Sequence, residues 1–239
     1  MPPSSSAASP SDAGARRARE TLEAAIAKAS ETPDDIWVFG YASLIWRPEF
    51  DAVEARAARL LGWHRCLRMR SRINRGTPEL PGLVFCLLNG GTCKGVAFRM
   101  SPRSWRDDLA RLWDREMFTG VYEPRWLACR TPQGTVRALA FTLDRLHPNH
   151  TGAIADEAML DILRHARGRY GTTLDYLLET ARGLREHGIR DPEIERLVAL
   201  AAHAGLMTNV APSHAGIGSG AAQARATPGA AQPLAAAPT

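Results

Sequence analysis

The chain has 239 residues, a hydrophobic fraction of 45% and a formal charge of +5 from 30 basic and 25 acidic residues. This length suits one domain with tails, and the apolar content is ample for a core. The basic residues are spread along the chain rather than gathered in a patch, which argues against a nucleic-acid partner, and no apolar run approaches the roughly 20 residues of a membrane span.

Met1-Pro2-Pro3-Ser4-Ser5-Ser6 lacks the charged-then-apolar pattern of a signal peptide. Residues 1 to about 15 are rich in Pro, Ser and Ala and read as disordered, and Arg16 to Ala29 has only weak helical spacing at Leu22, Ala25 and Ile26. Residues 1–33 are therefore expected to be a disordered tail with a marginal helix, and 34–205 the folded domain. Residues 206–239 end in an Ala/Gly/Pro-rich stretch with a single charge, Arg225, and are expected to be a disordered low-complexity tail.

Within the domain, Trp37-Val38-Phe39 is strand-like and breaks into a short loop, Gly40-Tyr41-Ala42-Ser43-Leu44, before apolar residues resume at Ile45. Arg65 to Arg75 alternates Arg with Cys, Leu, Met and Ile and reads as a strand with a solvated polar face. Leu83 to Leu88, the turn Asn89-Gly90-Gly91 and Val96-Ala97-Phe98 read as a hairpin, as do Trp126 to Arg130, Pro132-Gln133-Gly134 and Val136 to Leu143. Ser101-Pro102 reads as a cap followed by Pro at the first helical position. Further helices are expected over about 154–169, 174–187 and 192–204, the last capped by Asp191 and stopped by Gly205. Hairpins with helices inserted and appended make the fold class α+β rather than a doubly wound sheet.

Four cysteines, Cys66, Cys86, Cys93 and Cys129, lie in apolar or strand-like runs without C-x-x-C spacing. They read as buried, reduced thiols of a cytoplasmic protein. His147-Pro148-Asn149-His150 has no supporting ligand set and reads as a plain loop, not a metal site. No dinucleotide or phosphate-loop pattern is present and Ser43 lacks a G-x-S-x-G context, so neither a cofactor nor an elbow nucleophile is expected.

Two features point to chemistry. In the helix after Ser101, Trp105, Leu109, Leu112 and Trp113 form one apolar stripe whose next position, 116, is Glu. Arg106, Asp107, Asp108, Arg111, Asp114 and Arg115 fall elsewhere on the wheel. A carboxylate on a core stripe is costly unless paired or part-time protonated, and burial would raise its pKa toward values useful for proton transfer. The plainer reading is that the helix ends there and Glu116 frays into solvent or pairs with an Arg. The second feature is Gly40 to Leu44: successive N–H groups at a strand end form an anion nest to which the Ser43 hydroxyl adds a donor. The plainer reading is a strand–turn with Tyr41 and Leu44 in the core. Tyr170 and Tyr176 flank Gly171-Thr172-Thr173; either could be core and one a site phenol.

Four ordered blocks carry a family resemblance: Trp37 through Pro48; Asn74-Arg75-Gly76-Thr77-Pro78-Glu79-Leu80-Pro81-Gly82; Cys93 through Phe98; and Arg115-Glu116-Met117 with Gly120 and Tyr122. Gly171 through Leu177 adds a further echo. Together they resemble the ChaC-like γ-glutamylcyclotransferases, from Trp37 to about His187. The resemblance implies a small mixed β-barrel with packed helices. It implies a carbon–nitrogen lyase that cleaves glutathione, a small-molecule substrate, into 5-oxoproline and cysteinylglycine without metal or cofactor. It implies that Gly40, Tyr41, Ala42, Ser43 and Leu44 grip the γ-glutamyl group, that Glu116 is the catalytic glutamate, and that Tyr176 is the family's tyrosine in the late helix. The family's second loop position is usually Gly; Ala42 there costs about 1 kcal/mol at positive φ and nothing at negative φ. Two alternatives stand beside this reading: cyclotransfer on other γ-glutamyl amines or dipeptides, and a binding module that kept the fold without the chemistry.

Overall fold

The structure is a computed structural model in which residues 10–209 are described. Five strands close into a barrel in the order β1-β3-β2-β4-β5, matching the expected α+β class. They are β1 (Trp37–Gly40), β2 (Ala52–Ser71), β3 (Gly82–Met100), β4 (Glu123–Thr131) and β5 (Gly134–Thr142). β1 runs antiparallel to β3 and parallel to β5, where the pairs Trp37↔Ala138 and Val38↔Leu139 complete the ring. Phe39, Leu60, Phe85, Leu87, Ala97 and Leu139 on these strands are each almost wholly buried.

β2 and β3 form one long antiparallel ribbon from Ala52↔Met100 to Ser71↔Gly82. Asn89-Gly90-Gly91, expected to be a hairpin turn, lies inside β3 and does not reverse the chain. The register passes from Leu61↔Thr92 to Trp63↔Asn89, leaving Gly62 opposite Gly90 and Gly91. All three glycines have positive φ (78°, 94° and 75°), and β3 takes up one residue more than β2 at this point, so the ribbon bends at a bulge. The ribbon turns instead over residues 72–81. The β4–β5 hairpin has its turn at Pro132-Gln133, as expected.

The basic run also differs from its expected solvated face. Arg70 and Arg72 are exposed, but Arg65 and Arg75 are buried. Arg65 reaches inward, its side chain 1% exposed, to donate to the carbonyls of Tyr41 (2.6 Å) and Lys94 (3.1 Å) and to pair with Asp191 (2.5 Å). Asp191 in turn caps α6 (Pro192–His203), accepting from the N–H groups of Glu193 and Ile194. One guanidinium thus joins the residue after β1, strand β3 and a helix cap.

Helix α1 (Pro10–Ala29) begins earlier than Arg16, so residues 10–15 are helical rather than disordered. It packs through Ala18, Leu22, Ala25, Ile26 and Ala29, and Trp113 Nε1 donates to Thr21 Oγ1 (3.2 Å). α2 (Ser43–Trp46) is a single turn following β1. α3 (Trp105–Glu116) starts three residues later than its expected Pro102 start. Its Asp108, which the wheel placed off the apolar stripe, is wholly buried: it accepts from Ser104 Oγ (2.7 Å) and the Asp51 N–H (3.3 Å) and pairs with Arg111. These partners offset its desolvation.

α4 (Asp156–His165) stops short of Arg169 because a two-residue hairpin follows, with β6 (Arg167–Gly168) and β7 (Gly171–Thr172). α5 (Thr173–Glu186) is opened by a capping box between Thr172 and Asp175. Gly205 follows α6 at positive φ (71°), and a 3-10 turn covers Leu206–Asn209, where a tail was expected. The other expected tail residues, 1–9 and 210–239, lie outside the described residues. All four cysteines are buried and free, and Cys66 and Cys86 face each other across β2 and β3 with sulfurs 3.6 Å apart. Among the described residues no group of His, Cys, Asp and Glu could hold a metal ion, and no helix is long and apolar enough to cross a membrane.

Removing Arg65 takes the cation away from the Asp191 carboxylate and a donor away from two carbonyls. Arg65→Leu should cost about 3–5 kcal/mol in urea unfolding. A loss below about 1 kcal/mol would mean that the pair only offsets its own desolvation.

Candidate active site

Glu116 is the last residue of α3 and follows Trp105, Leu109, Leu112 and Trp113 onto the buried side; its side chain is 13% exposed. The helix does end there, but Met117 beyond it is buried and its N–H donates back to Trp113 O (2.8 Å). The end therefore lies against the core, and the carboxylate does not fray into solvent. Arg115 pairs with it, Nε to Oε1 at 3.1 Å. Burial pushes the Glu116 carboxyl above its ordinary 4.5; Arg115 opposes the shift and Glu49 adds to it.

Arg115 has more partners than Glu116. It donates to Ser43 Oγ (2.8 Å), the Arg47 carbonyl (2.5 Å) and Glu49 (3.0 Å). This ties the end of α3 to the segment after β1. Glu49 also pairs with Arg47 (2.5 Å) and is the non-glycine residue standing at positive φ (59°) among those described. That conformation costs roughly 1 kcal/mol, and the two arginines hold it in place.

Three phenols lie within electrostatic reach of the carboxylate. Tyr41 is buried and donates to the Phe141 carbonyl (3.0 Å); Tyr122 donates to the Phe85 carbonyl (3.2 Å). Tyr176, 5% exposed, lies beneath the Arg75 guanidinium, 5.0 Å from its ring centre. Burial raises the pKa of each hydroxyl, and the negative charge of Glu116 raises it further. Tyr176 reaches about 12, with Arg75 working in the opposite sense. All three therefore remain protonated donors at neutral pH. Of the two tyrosines left open by the sequence, Tyr176 is in this cluster, while Tyr170 is 48% exposed at the β6–β7 tip.

The segment Gly40 to Leu44 is compact. Gly40 has no room for a side chain, since a Cβ there would lie 2.9 Å from the Phe98 ring. Tyr41 and Leu44 are core residues, as the plainer reading required. Ala42 precedes α2 at φ −143°, so the departure from glycine meets no left-handed strain. The first-turn N–H groups of α2, at Ser43 and Leu44, have no acceptor within the helix. The structure thus brings Ser43, Tyr41, Tyr176 and Glu116 into one neighbourhood, with Gly40, Ala42 and Leu44 shaping the backbone behind Ser43. Arg115, Arg75, Tyr122 and Glu49 were not singled out from the sequence as site residues; Arg115, Arg75 and Tyr122 nevertheless lie inside the blocks that carried the resemblance.

Comparison with known proteins agrees with this geometry. The ChaC-like protein family matches residues 36–204, and the chain belongs to that family. It is 34% identical over 169 residues to the glutathione-specific gamma-glutamylcyclotransferase of Escherichia coli K12, covering 70% of this chain and 73% of that protein. It is 30% identical over 154 residues to the human glutathione-specific gamma-glutamylcyclotransferase 1, covering 62% and 69%. The crystal structure of a yeast gamma-glutamylcyclotransferase specific to glutathione superposes with a TM-score of 0.62 over 71% of this chain and 98% of that one; at 17% identity it is a likeness of fold.

Two stability measurements follow. Ala42→Gly should cost about 0.4–1 kcal/mol, because at negative φ glycine only adds freedom to the unfolded chain. A gain in stability would show that residue 42 is strained. Glu116 has its folded pKa above the unfolded value, so between the two the folded state holds more protons and stability falls as pH rises. Glu116→Gln removes this dependence. Its melting temperature should gain on wild type as pH rises from below 4.5 through the raised value. A difference that stays level, or moves the other way, would contradict a buried carboxylate.

Proposed function

We propose that this chain is a γ-glutamylcyclotransferase that cleaves glutathione into 5-oxoproline and cysteinylglycine. The observation that carries the reading is Glu116, a carboxylate on the buried face of α3 among three protonated phenols. Family membership and the named activity of the bacterial and human relatives support it. The four buried free thiols fit a reducing compartment, and we place the reaction in the cytoplasm.

The reaction is intramolecular. The α-amine of the γ-glutamyl unit attacks its own γ-carbonyl, a five-membered ring closes, and the bond to the cysteine nitrogen breaks. The amine loses a proton and the leaving nitrogen gains one, so one carboxylate serves as base and then as acid. No water is consumed. Holding the glutamyl unit folded supplies much of the rate, because the attacking and attacked atoms share one molecule. The segment from Gly40 to Leu44 does this holding: the N–H groups of Ser43 and Leu44 and the Ser43 hydroxyl face the glutamyl carboxylate. Tyr176 lines the opposite side as a donor, and Tyr41, its hydroxyl held by the Phe141 carbonyl, packs beside it. Arg115 sets the distance between the gripping segment and the base.

The test is product formation. Purified protein incubated with glutathione should release 5-oxoproline and cysteinylglycine in equal amounts, and Glu116→Gln should lower the rate about 10²–10⁴-fold while remaining folded. A Gln variant within a few-fold of wild type would remove Glu116 from the chemistry. A wild-type protein that binds glutathione without releasing 5-oxoproline would make this chain a binding module of the same fold.

A further inference from the structure

A series of contacts forms a rim that starts at Glu116. Arg115 pairs with Glu116 and donates to the Arg47 carbonyl. The Arg47 guanidinium lies over the Tyr170 ring at 5.6 Å. Arg169 lies over the same ring at 4.5 Å and over Phe118 at 5.6 Å. Phe118 lies two residues beyond Glu116 in the chain. Both rings are conspicuously open, Phe118 at 55% and Tyr170 at 48%.

The arginines of this rim differ in one respect. Arg115 and Arg47 have carboxylate partners within the protein. Arg169 has neither an ion pair nor a side-chain hydrogen bond among the described residues; its contacts are the two ring faces. Its backbone is fixed nonetheless. Arg169 and Tyr170 form the tip of the β6–β7 hairpin, and their N–H groups donate to Ile73 (2.9 Å) and Asn74 (3.0 Å). A guanidinium stacked between two rings keeps its edge free to meet a carboxylate with two parallel N–H···O bonds.

We propose that Arg169, flanked by Phe118 and Tyr170, is a specificity-determining residue that takes the terminal carboxylate of the leaving peptide. The site then selects γ-glutamyl peptides that end in a free carboxylate over γ-glutamyl amines. This rests on the cyclotransferase reading above. The deep end of the site handles the glutamyl half, which is common to all such substrates; the rim sees only the leaving half. A contact so far from the breaking bond is equally strong in the ground state and the transition state, so it acts on KM and leaves kcat alone.

The experiment compares glutathione with its glycine carboxamide, which differs only in the terminal charge, on the full chain and on Arg169→Ala and Arg169→Lys. The wild type should favour glutathione about ten- to a hundredfold in kcat/KM, the size expected of a hydrogen bond to a charged group, with the difference in KM. Arg169→Ala should treat the two substrates alike, and Arg169→Lys should recover part of the preference. A melting curve matching wild type shows that the hairpin is intact. A wild type that turns over both substrates equally overturns the proposal, as does an Ala variant that keeps the full preference or loses kcat instead of KM. Release of 5-oxoproline from neither substrate by the wild type refutes the activity itself, and the proposal with it; turnover without discrimination refutes the proposal alone.

Discussion

The geometry of the site depends on one guanidinium. Arg115 sits at the end of α3 and holds Glu116, Glu49, Ser43 Oγ and the Arg47 carbonyl at once. Three of these belong to the short helix and its flank after β1, and the fourth is the carboxylate on the other side of the site. The same guanidinium limits how far burial can raise the Glu116 pKa. The site is therefore a compromise: burial raises the carboxyl above its ordinary range and makes it a stronger base, and the adjacent positive charge holds that rise in check.

The barrel supplies the other half of the frame. β1 is only four residues long, yet it is paired on both edges and wholly buried. Its end is held by Arg65 through the Tyr41 carbonyl and by Tyr41 through the Phe141 carbonyl. A short segment fixed in this way can present its backbone N–H groups without rearrangement, which a surface loop of the same composition could not do. The likeness of fold to the yeast enzyme extends over nearly all of that protein despite low identity, as expected where strand order and packing outlast individual side chains.

Much of this was legible in the sequence for stated physical reasons. Glu116 stood out because a 3.6-residue stripe made a definite prediction that one residue broke, and its low exposure agrees. The β4–β5 hairpin and the Asp191 cap were readable because their signals are local. The failures share a cause: they turn on partners distant in sequence. Asn89-Gly90-Gly91 has the composition of a hairpin turn, and only Gly62 on the facing strand makes it a bulge. Arg65 looks like any solvated strand residue until Asp191, 126 positions away, comes to meet it. Asp108 is buried because Ser104, Asp51 and Arg111 converge on it, and α1 is longer than its weak amphipathicity suggested because α3 packs beside it. Tyr122 and Arg115 fell within recognisable blocks, but no spacing rule marks a phenol or a guanidinium as one that faces a given carboxylate.

The central claim is that Glu116 is a carboxyl held out of water beside a single guanidinium. Its own titration tests this most directly. Carbon-13 NMR of protein labelled at the glutamate side-chain carboxyl, with the Glu116 resonance assigned by its absence in the Gln variant, should give a midpoint above the ordinary 4.5. A midpoint at or below that value would mean that Arg115 outweighs burial. Glu116 would then be a structural ion pair, and the proton transfers would need another residue.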